Sequence, residues 1–219
     1  MFRIRIQNKK KCIWYCSAVV SFLLFLLLLG WTNHLANTQD AQQMAGRWSE
    51  KKDVAQISCF FSSKAEVTED TIQSFEYSLK NVLQEASITE TSENPSARLW
   101  VDAYSADGKI TLVNGKNTLD ANAIGIGGDF FMFHPLKLIT GAYFSGNDLM
   151  QDYCIIDQDA AWQLFGSNDV VGMTVYIGNV PHIVTGVVQR PDSRMDKAAG
   201  LNSTVVYVSY ETLSAYGTN

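Results

Sequence analysis

From Cys12 to Trp31 the chain runs through twenty residues without a charge, CIWYCSAVVSFLLFLLLLGW. At about 1.5 Å rise per residue, a helix of that length reaches roughly 30 Å, the thickness of a bilayer's hydrocarbon core. The pattern predicts a transmembrane helix over 12–32. A cleaved signal would carry a shorter apolar stretch, about 7–15 residues, ahead of a small-residue site. The flank TNHLANTQDAQQ offers only Ala36 for that purpose, so an uncleaved anchor is preferred. Beyond it Ala41, Met44 and Trp48 recur at helical spacing without proline, which predicts a stalk helix over 33–53 that continues the span. The polarity of this stretch also suits a flexible linker.

The next apolar run, VAQISCFF (54–61), is short and rich in strand formers. A helix is predicted after it. Thr68 is placed as its N-cap, and Glu69 and Asp70 fall in the first turn, where carboxylates offset the positive end of the helix dipole. Ile72, Phe75, Leu79, Val82, Leu83 and Ala86 then form one apolar stripe that predicts packing against a sheet. ARLWVDAYS (97–105) reads as the following strand, and the three elements together read as a strand-helix-strand lobe.

From residue 106 the pattern shortens to strands separated by turn signals, including ADGK and VNGK. CIID (154–157) ends a strand where Asp157 is placed to cap a helix. Ala160, Ala161, Leu164 and Phe165 bury one side of that helix, and Gly166 ends it in a left-handed conformation. GMTVYIGNVPHIVTGVV (172–188) reads as two strands joined at Gly178-Asn179, and TVVYVSY (204–210) as one more.

Charge divides the chain. Five of its 17 basic residues (Arg3, Arg5, Lys9, Lys10, Lys11) fall within the first eleven positions with no acid among them, so the other 12 face 22 acidic residues, a balance of −10. A basic cluster before an apolar span stays on the cytoplasmic side, and Trp14, Tyr15 and Trp31 suit the two interfaces. The bulk of the chain is then extracytoplasmic. Its acidity speaks against nucleic acid, whose phosphates require clustered Lys and Arg. Outside the span lie Cys59 and Cys154, and spacing leaves open whether they pair or stay as two buried thiols.

Candidate chemistry is sparse. No GxxxxGK[ST] occurs, and GIGGDF (125–130) lacks the third glycine of the dinucleotide-binding pattern, so it is read as a loop. His34, His134 and His182 are far apart, and without a GxSxG elbow the loop histidines read as exposed or structural. The aspartates of IIDQDAAWQLFG lack the alternating donors and closing Glu of a calcium loop. No catalytic, metal or cofactor-binding residue is assigned.

The succession LITGAYF, CIID, AAWQLFG, NDVVGMTVYIG and HIVTGVV resembles the extracytoplasmic core domain of MacB-like ABC transporter permeases, which group with the FtsX and lipoprotein-releasing permeases. The resemblance implies an α+β fold: a transmembrane helix extended into a stalk, then a two-lobed domain over 54–219. The first lobe would comprise 54–105 and 204–219, and the β-rich inserted lobe 106–203, after a cytoplasmic segment 1–11. Gly141, Phe144, Asp157, Leu164, Phe165, Gly166, Gly172 and Gly186 carry the family pattern as packing and turn positions.

By the same resemblance the chain is non-catalytic and sits in the plasma (inner) membrane. It would transmit the effect of ATP hydrolysis by a separate cytoplasmic P-loop ATPase to a peptide, lipoprotein or protein substrate outside, with a second permease copy as dimer partner. Permeases of the family continue into three further spans, so the sequence is expected to be either the front part of a permease or a single-span relative. The alternative function is a stand-alone anchored binding or sensor protein; an anchored hydrolase ranks lowest.

Overall fold

A computed structural model describes residues 2–37, 43–49, 54–65, 67–88, 98–146, 148–190 and 203–218. The chain divides into two compact units, Met1–Gln56 and Ile57–Asn219. In the first, helix α1 covers Phe2–Asn37, and its segment Lys11–Leu35 has a mean hydropathy of 2.5 with none of its apolar surface buried. Length and composition suit a membrane span. A separate short helix α2, Met44–Trp48, follows a non-helical Gln43 (φ −102°, ψ 6°), and Ala45 N–H donates to Gln56 Oε1 at 3.2 Å. The uninterrupted stalk expected over 33–53 falls partly on residues 38–42 and 50–53, outside the described ones.

The second unit is built on one seven-stranded sheet. Its strands are β1 (Ala103–Asn114), β2 (Asn117–Gly128), β3 (Leu138–Gly141), β4 (Tyr153–Asp157), β5 (Thr174–Ile177), β6 (Val180–Val188) and β7 (Val205–Ser209). They run in the order β3-β6-β4-β7-β2-β1-β5, and β5 also pairs with β6. Six strands therefore close into a ring, which removes most open edges. The pairs β2/β7 and β4/β6 are parallel, the others antiparallel. Among its described residues the unit also holds helices α3 (Glu69–Glu85), α4 (Phe130–Phe133), α5 (Gln158–Phe165) and α6 (Tyr210–Tyr216).

Alternation along the central strands sorts side chains into two cores. Cys154, Ile156, Val206 and Val208 join Leu112, Leu164, Val175 and Ile177 on one side. Ile155 and Tyr207 join Ile126, Phe130 and Phe144 on the other. With both faces covered, β4 and β7 read as continuous apolar runs, as buried strands do. The hairpin at Gly178-Asn179 forms as expected, with φ of 54° and 68°, the double left-handed geometry of a tight two-residue turn. The VNGK turn joins β1 and β2, with Gly115 at φ 60°.

Several expectations are corrected. The run 54–61 forms no strand: among the described residues it joins none of the sheet pairings on which a strand depends, and Ile57, Phe60 and Phe61 are exposed. Regular pairing begins at Ala103 rather than 97, so the strand-helix-strand unit does not assemble. ADGK is not a turn but part of β1, where Ala106 to Lys109 face Gly125 to Asn122 in unbroken register. GIGG is not a loop but the end of β2. The lobe boundary drawn at 105/106 falls within β1, and β7, assigned to the first lobe, is a central strand of the same sheet. Both outer cysteines are free thiols: Cys59 is exposed, and Cys154 is buried with its thiol pushed up to about 12 by that burial. The α+β class stands, with an N-terminal apolar helix and a sheet-rich domain.

Candidate interaction surface

The glycines that end β2 form a floor. A Cβ on Gly127 would lie 2.0 Å from the Tyr104 ring, so only a bare backbone lets that ring lie flat. Gly128, at φ 60°, lets the chain press against Asp102, whose carbonyl accepts from Asp129 N–H at 2.8 Å. Arg98 then grips Asp129 with two donors at 2.6 and 3.3 Å, and that hydrogen bond holds its pKa above the ordinary range.

The N-terminal end of α3 is tied nearby. Tyr104 Oη donates to Glu69 Oε1 at 3.0 Å, and Tyr210 Oη donates to the Val67 carbonyl at 3.1 Å. Burial raises the Glu76 pKa, and the nearby Asp102 and Glu69 charges raise it further. Tyr104 is also raised, by burial first and then by its bond to Glu69. The apolar stripe expected to pack on a sheet is only half covered. Ile72, Leu79 and Leu83 are partly buried, Phe75 and Val82 are exposed, and no residue of the helix is fully buried.

Gly146 packs on the same glycines. Gly146 N–H donates to the Gly128 carbonyl at 3.1 Å, and a Cβ there would meet Gly127 Cα at 2.4 Å. Tyr143 stacks on Phe131 with ring centroids 4.5 Å apart, and its hydroxyl bonds both the N–H and the carbonyl of Leu136. This anchoring leaves Leu149 and Met150 exposed at the tip.

Two polar networks hold the remaining helices. Asp157 Oδ1 caps α5 by accepting from Ala160 N–H at 2.7 Å, while Oδ2 accepts from Arg190 Nε at 3.2 Å and Val205 N–H at 3.1 Å. Arg190 reaches on to Asp159 at 2.5 Å. One carboxylate thus ties β4, β7 and the end of β6 together. Ser209 caps α6 and its hydroxyl donates to the Gln151 carbonyl at 3.0 Å, with Thr212 Oγ1 3.2 Å from the same carbonyl. His182 is not a loop residue: it is fully buried on β6, with Nδ1 3.0 Å from the Val180 carbonyl and Nε2 3.1 Å from Thr212 Oγ1. Because a carbonyl only accepts, Nδ1 carries the proton. These groups border a cleft of about 250 Å³ that Asp152, Glu211 and Tyr216 also line. Among the described residues, no group of three or more His, Cys, Asp or Glu could hold a metal ion.

The family-pattern residues do not converge on one site. Gly141, at φ 85°, presses against the Thr185 carbonyl and Gly186 Cα, so these two glycines meet where β3 joins β6. Phe144 lies in the second core and Leu164 in the first, with Phe165 packed beside it. Gly166 (φ 73°) and Gly172 (φ 82°) take left-handed turns in open space. Sequence reasoning missed Arg190, Tyr104 and Asp102, because each acquires its partner across the fold. The Gly-rich end of β2 was the one visible signal.

A family model described as the MacB-like periplasmic core domain matches residues 20–219. The macrolide export ATP-binding/permease protein MacB of Chromobacterium violaceum is 32% identical over 99 residues, which cover 44% of this chain and 15% of that protein. The chain thus spans a small part of this relative. Among solved structures, the periplasmic region of MacB from Actinobacillus actinomycetemcomitans is 26% identical, with a TM-score of 0.41, covering 54% of this chain and 52% of that one. The extracellular domain of the noncanonic ABC-type transporter YknZ from Gram-positive bacteria is 23% identical, with a TM-score of 0.41, covering 52% and 56%.

Proposed function

The chain belongs to the MacB-like periplasmic core domain family of ABC transporter permeases, and on that premise we propose that it is a non-catalytic transmission component. Helix α1 is the first transmembrane helix, with its basic N-terminus in the cytoplasm. The sheet unit lies outside and converts movement of the span into a change at a surface that meets cargo. ATP is hydrolysed by a separate cytoplasmic P-loop ATPase. The working form is a dimer of permease copies, and the cargo is a peptide, lipoprotein or other protein; neither nucleic acid nor a cofactor in this chain takes part.

The observation that carries this reading is the family match over residues 20–219, which takes in most of the apolar helix as well as the sheet unit. The glycine floor also supports it. One rigid strand end holds both a lightly seated helix and the exposed 149–150 tip, so displacement on one side can reach the other.

The test uses the full chain in native membranes. Site-directed photocrosslinkers in the basic segment should capture a P-loop ATPase, and the ATP turnover of the purified complex should respond to substitutions in α3. Capture of no ATPase, with the chain functional in its cell, would overturn the transport reading and favour an anchored binding protein. Protease protection of residues 1–11 in sealed right-side-out vesicles checks the orientation.

A further inference from the structure

Closing the ring does not cover the whole of β1. Near its end the strand is paired on both sides, with β2 throughout and with β5 at Leu112 and Val113. At Lys109 the side away from β2 takes a single antiparallel bridge: Lys109 N–H donates to the Thr218 carbonyl at 2.8 Å, and the Lys109 carbonyl accepts from Thr218 N–H at 2.9 Å. Both backbone groups of Lys109 thus point away from β2, and Asn122, opposite it, sends its own N–H to the Thr204 carbonyl. Backbone groups in an antiparallel pair alternate sides with a period of two. The N–H and C=O of Asp107, Ser105 and Ala103 therefore point to the same outer side. Among the described residues no strand lies along them there, and Ser105 and Asp107 are exposed. An edge of that kind is a template for a further strand.

The same chain carries a segment suited to that template. Residues 57–61, ISCFF, hold no charge and no proline, and their β-branched and aromatic side chains favour a strand. Ile57, Phe60 and Phe61 are 85%, 91% and 66% exposed, and among the described residues the run joins none of the sheet pairings. Both halves of a strand pair are therefore present in one copy, and they are not engaged with each other. Two copies can satisfy both at once, each lending its run to the other's edge about a two-fold axis, as isologous contacts do. On the membrane reading of α1, anchoring confines the copies to one bilayer and raises their effective concentration. An uncharged run also brings no like charge against Asp107.

We propose that the edge of β1 at 103–107 is a strand-addition site filled by residues 57–61 of a second copy. The exchange rests on the dimer reading above and deepens it by naming the surface through which the sheet units meet. Main-chain hydrogen bonds at Ala103, Ser105 and Asp107 supply the affinity, as in other strand additions, and pairing takes part of the run's exposed apolar surface out of water. Centring 57–61 on 103–107 sets Cys59 opposite Ser105 whether the added strand runs parallel or antiparallel. Cys59 is a free, exposed thiol, so the native chain already holds one half of a reporter.

Two differently tagged forms of the full chain, co-expressed in native membranes, test this with a short bifunctional thiol reagent. Both carry Cys12→Ala and Cys16→Ala, which clear the span of thiols. One form keeps Cys59, and the other combines Cys59→Ser with Ser105→Cys. A crosslink joining the two tags is expected, roughly tenfold above that obtained when Lys116→Cys, on the exposed β1–β2 turn, takes the place of Ser105→Cys. Ala103→Cys and Asp107→Cys, two residues to either side, detect a register shifted along the edge. Ile57→Pro in the Cys59 form removes a backbone N–H from the run without touching a described sheet pairing, and should lower the crosslink to the Lys116→Cys level. Cys154, fully buried in the first core, stays closed to maleimide in folded chains, which checks that each variant keeps its core. Absence of a crosslink at all three edge positions would overturn the proposal. So would crosslinking confined within single chains that carry both Cys59 and Ser105→Cys, which would put the run on its own edge. Co-purification of the two tags without an edge crosslink keeps the dimer and removes the strand exchange, and ATPase capture by the basic segment is read independently of both.

Discussion

Helices α3 and α5 begin alike: Thr68 accepts from Thr71 N–H and Asp157 from Ala160 N–H, each through its side chain, and each first turn carries acid. Their surroundings then diverge. The eight residues of α5 bury Ala160, Ala161 and Leu164 completely, while the seventeen residues of α3 bury none. Local capping and apolar spacing make both segments helical, but they do not say how much of the apolar face another element will cover. For α5 the answer is the β1–β2 hairpin and the first core: Asn114 and Asn117 both donate to the Leu164 carbonyl, at 3.1 and 2.9 Å. For α3 it is a few polar contacts.

The contrast can be broken at several points. Leu164→Ala should have the largest effect, about 2–5 kcal/mol of lost stability, because it opens a cavity at a position with 1% exposure in the first core. Denaturant unfolding of the full chain in micelles measures it. Asp157→Ala should cost roughly 2–4 kcal/mol, since it removes the α5 cap, orphans Val205 N–H and takes away a carboxylate partner of Arg190. The same unfolding assay reads this loss, and a change below about 1 kcal/mol would mean that the Asp157 network is merely ornamental. Gly166→Ala should cost about 1 kcal/mol: the residue has open space around it, so only the left-handed backbone opposes a side chain. Phe75→Ala, at a side chain with 67% exposure, should stay within about 0.5 kcal/mol of wild type. A loss there approaching that of Leu164→Ala would show that α3 is as well covered as α5, and the contrast would collapse.

The stretch 138–172 shows how far a local reading reaches. Gly166, Asp157 and the apolar side of the second helix were legible because caps and amphipathic spacing act within a few residues. Arg190 was not, although it completes the Asp157 site, because 33 residues separate them and only the parallel pairing of β4 with β6 brings them together. Residues 54–61 show the opposite error. Their composition is that of a strand, yet a strand exists only beside a partner, and composition carries no information about one. GIGG was recognised as unusual and misplaced for a related reason. Its glycines serve neither a turn nor a phosphate but the close approach of Tyr104, Asp102 and Gly146, contacts visible only in three dimensions.

By itself the sequence determined the apolar span, the acidic sheet-rich domain, the helix caps and the Gly178-Asn179 and Gly115 turns, because each depends on the chemistry of neighbours along the chain. Only the tertiary structure decided that β1 runs unbroken through ADGK, that six strands close into a ring, that His182 is buried beneath α6, and that Tyr104 bonds Glu69 of α3. Those outcomes depend on partners tens of residues away, and the free energy of such contacts belongs to the assembled fold rather than to any segment of it.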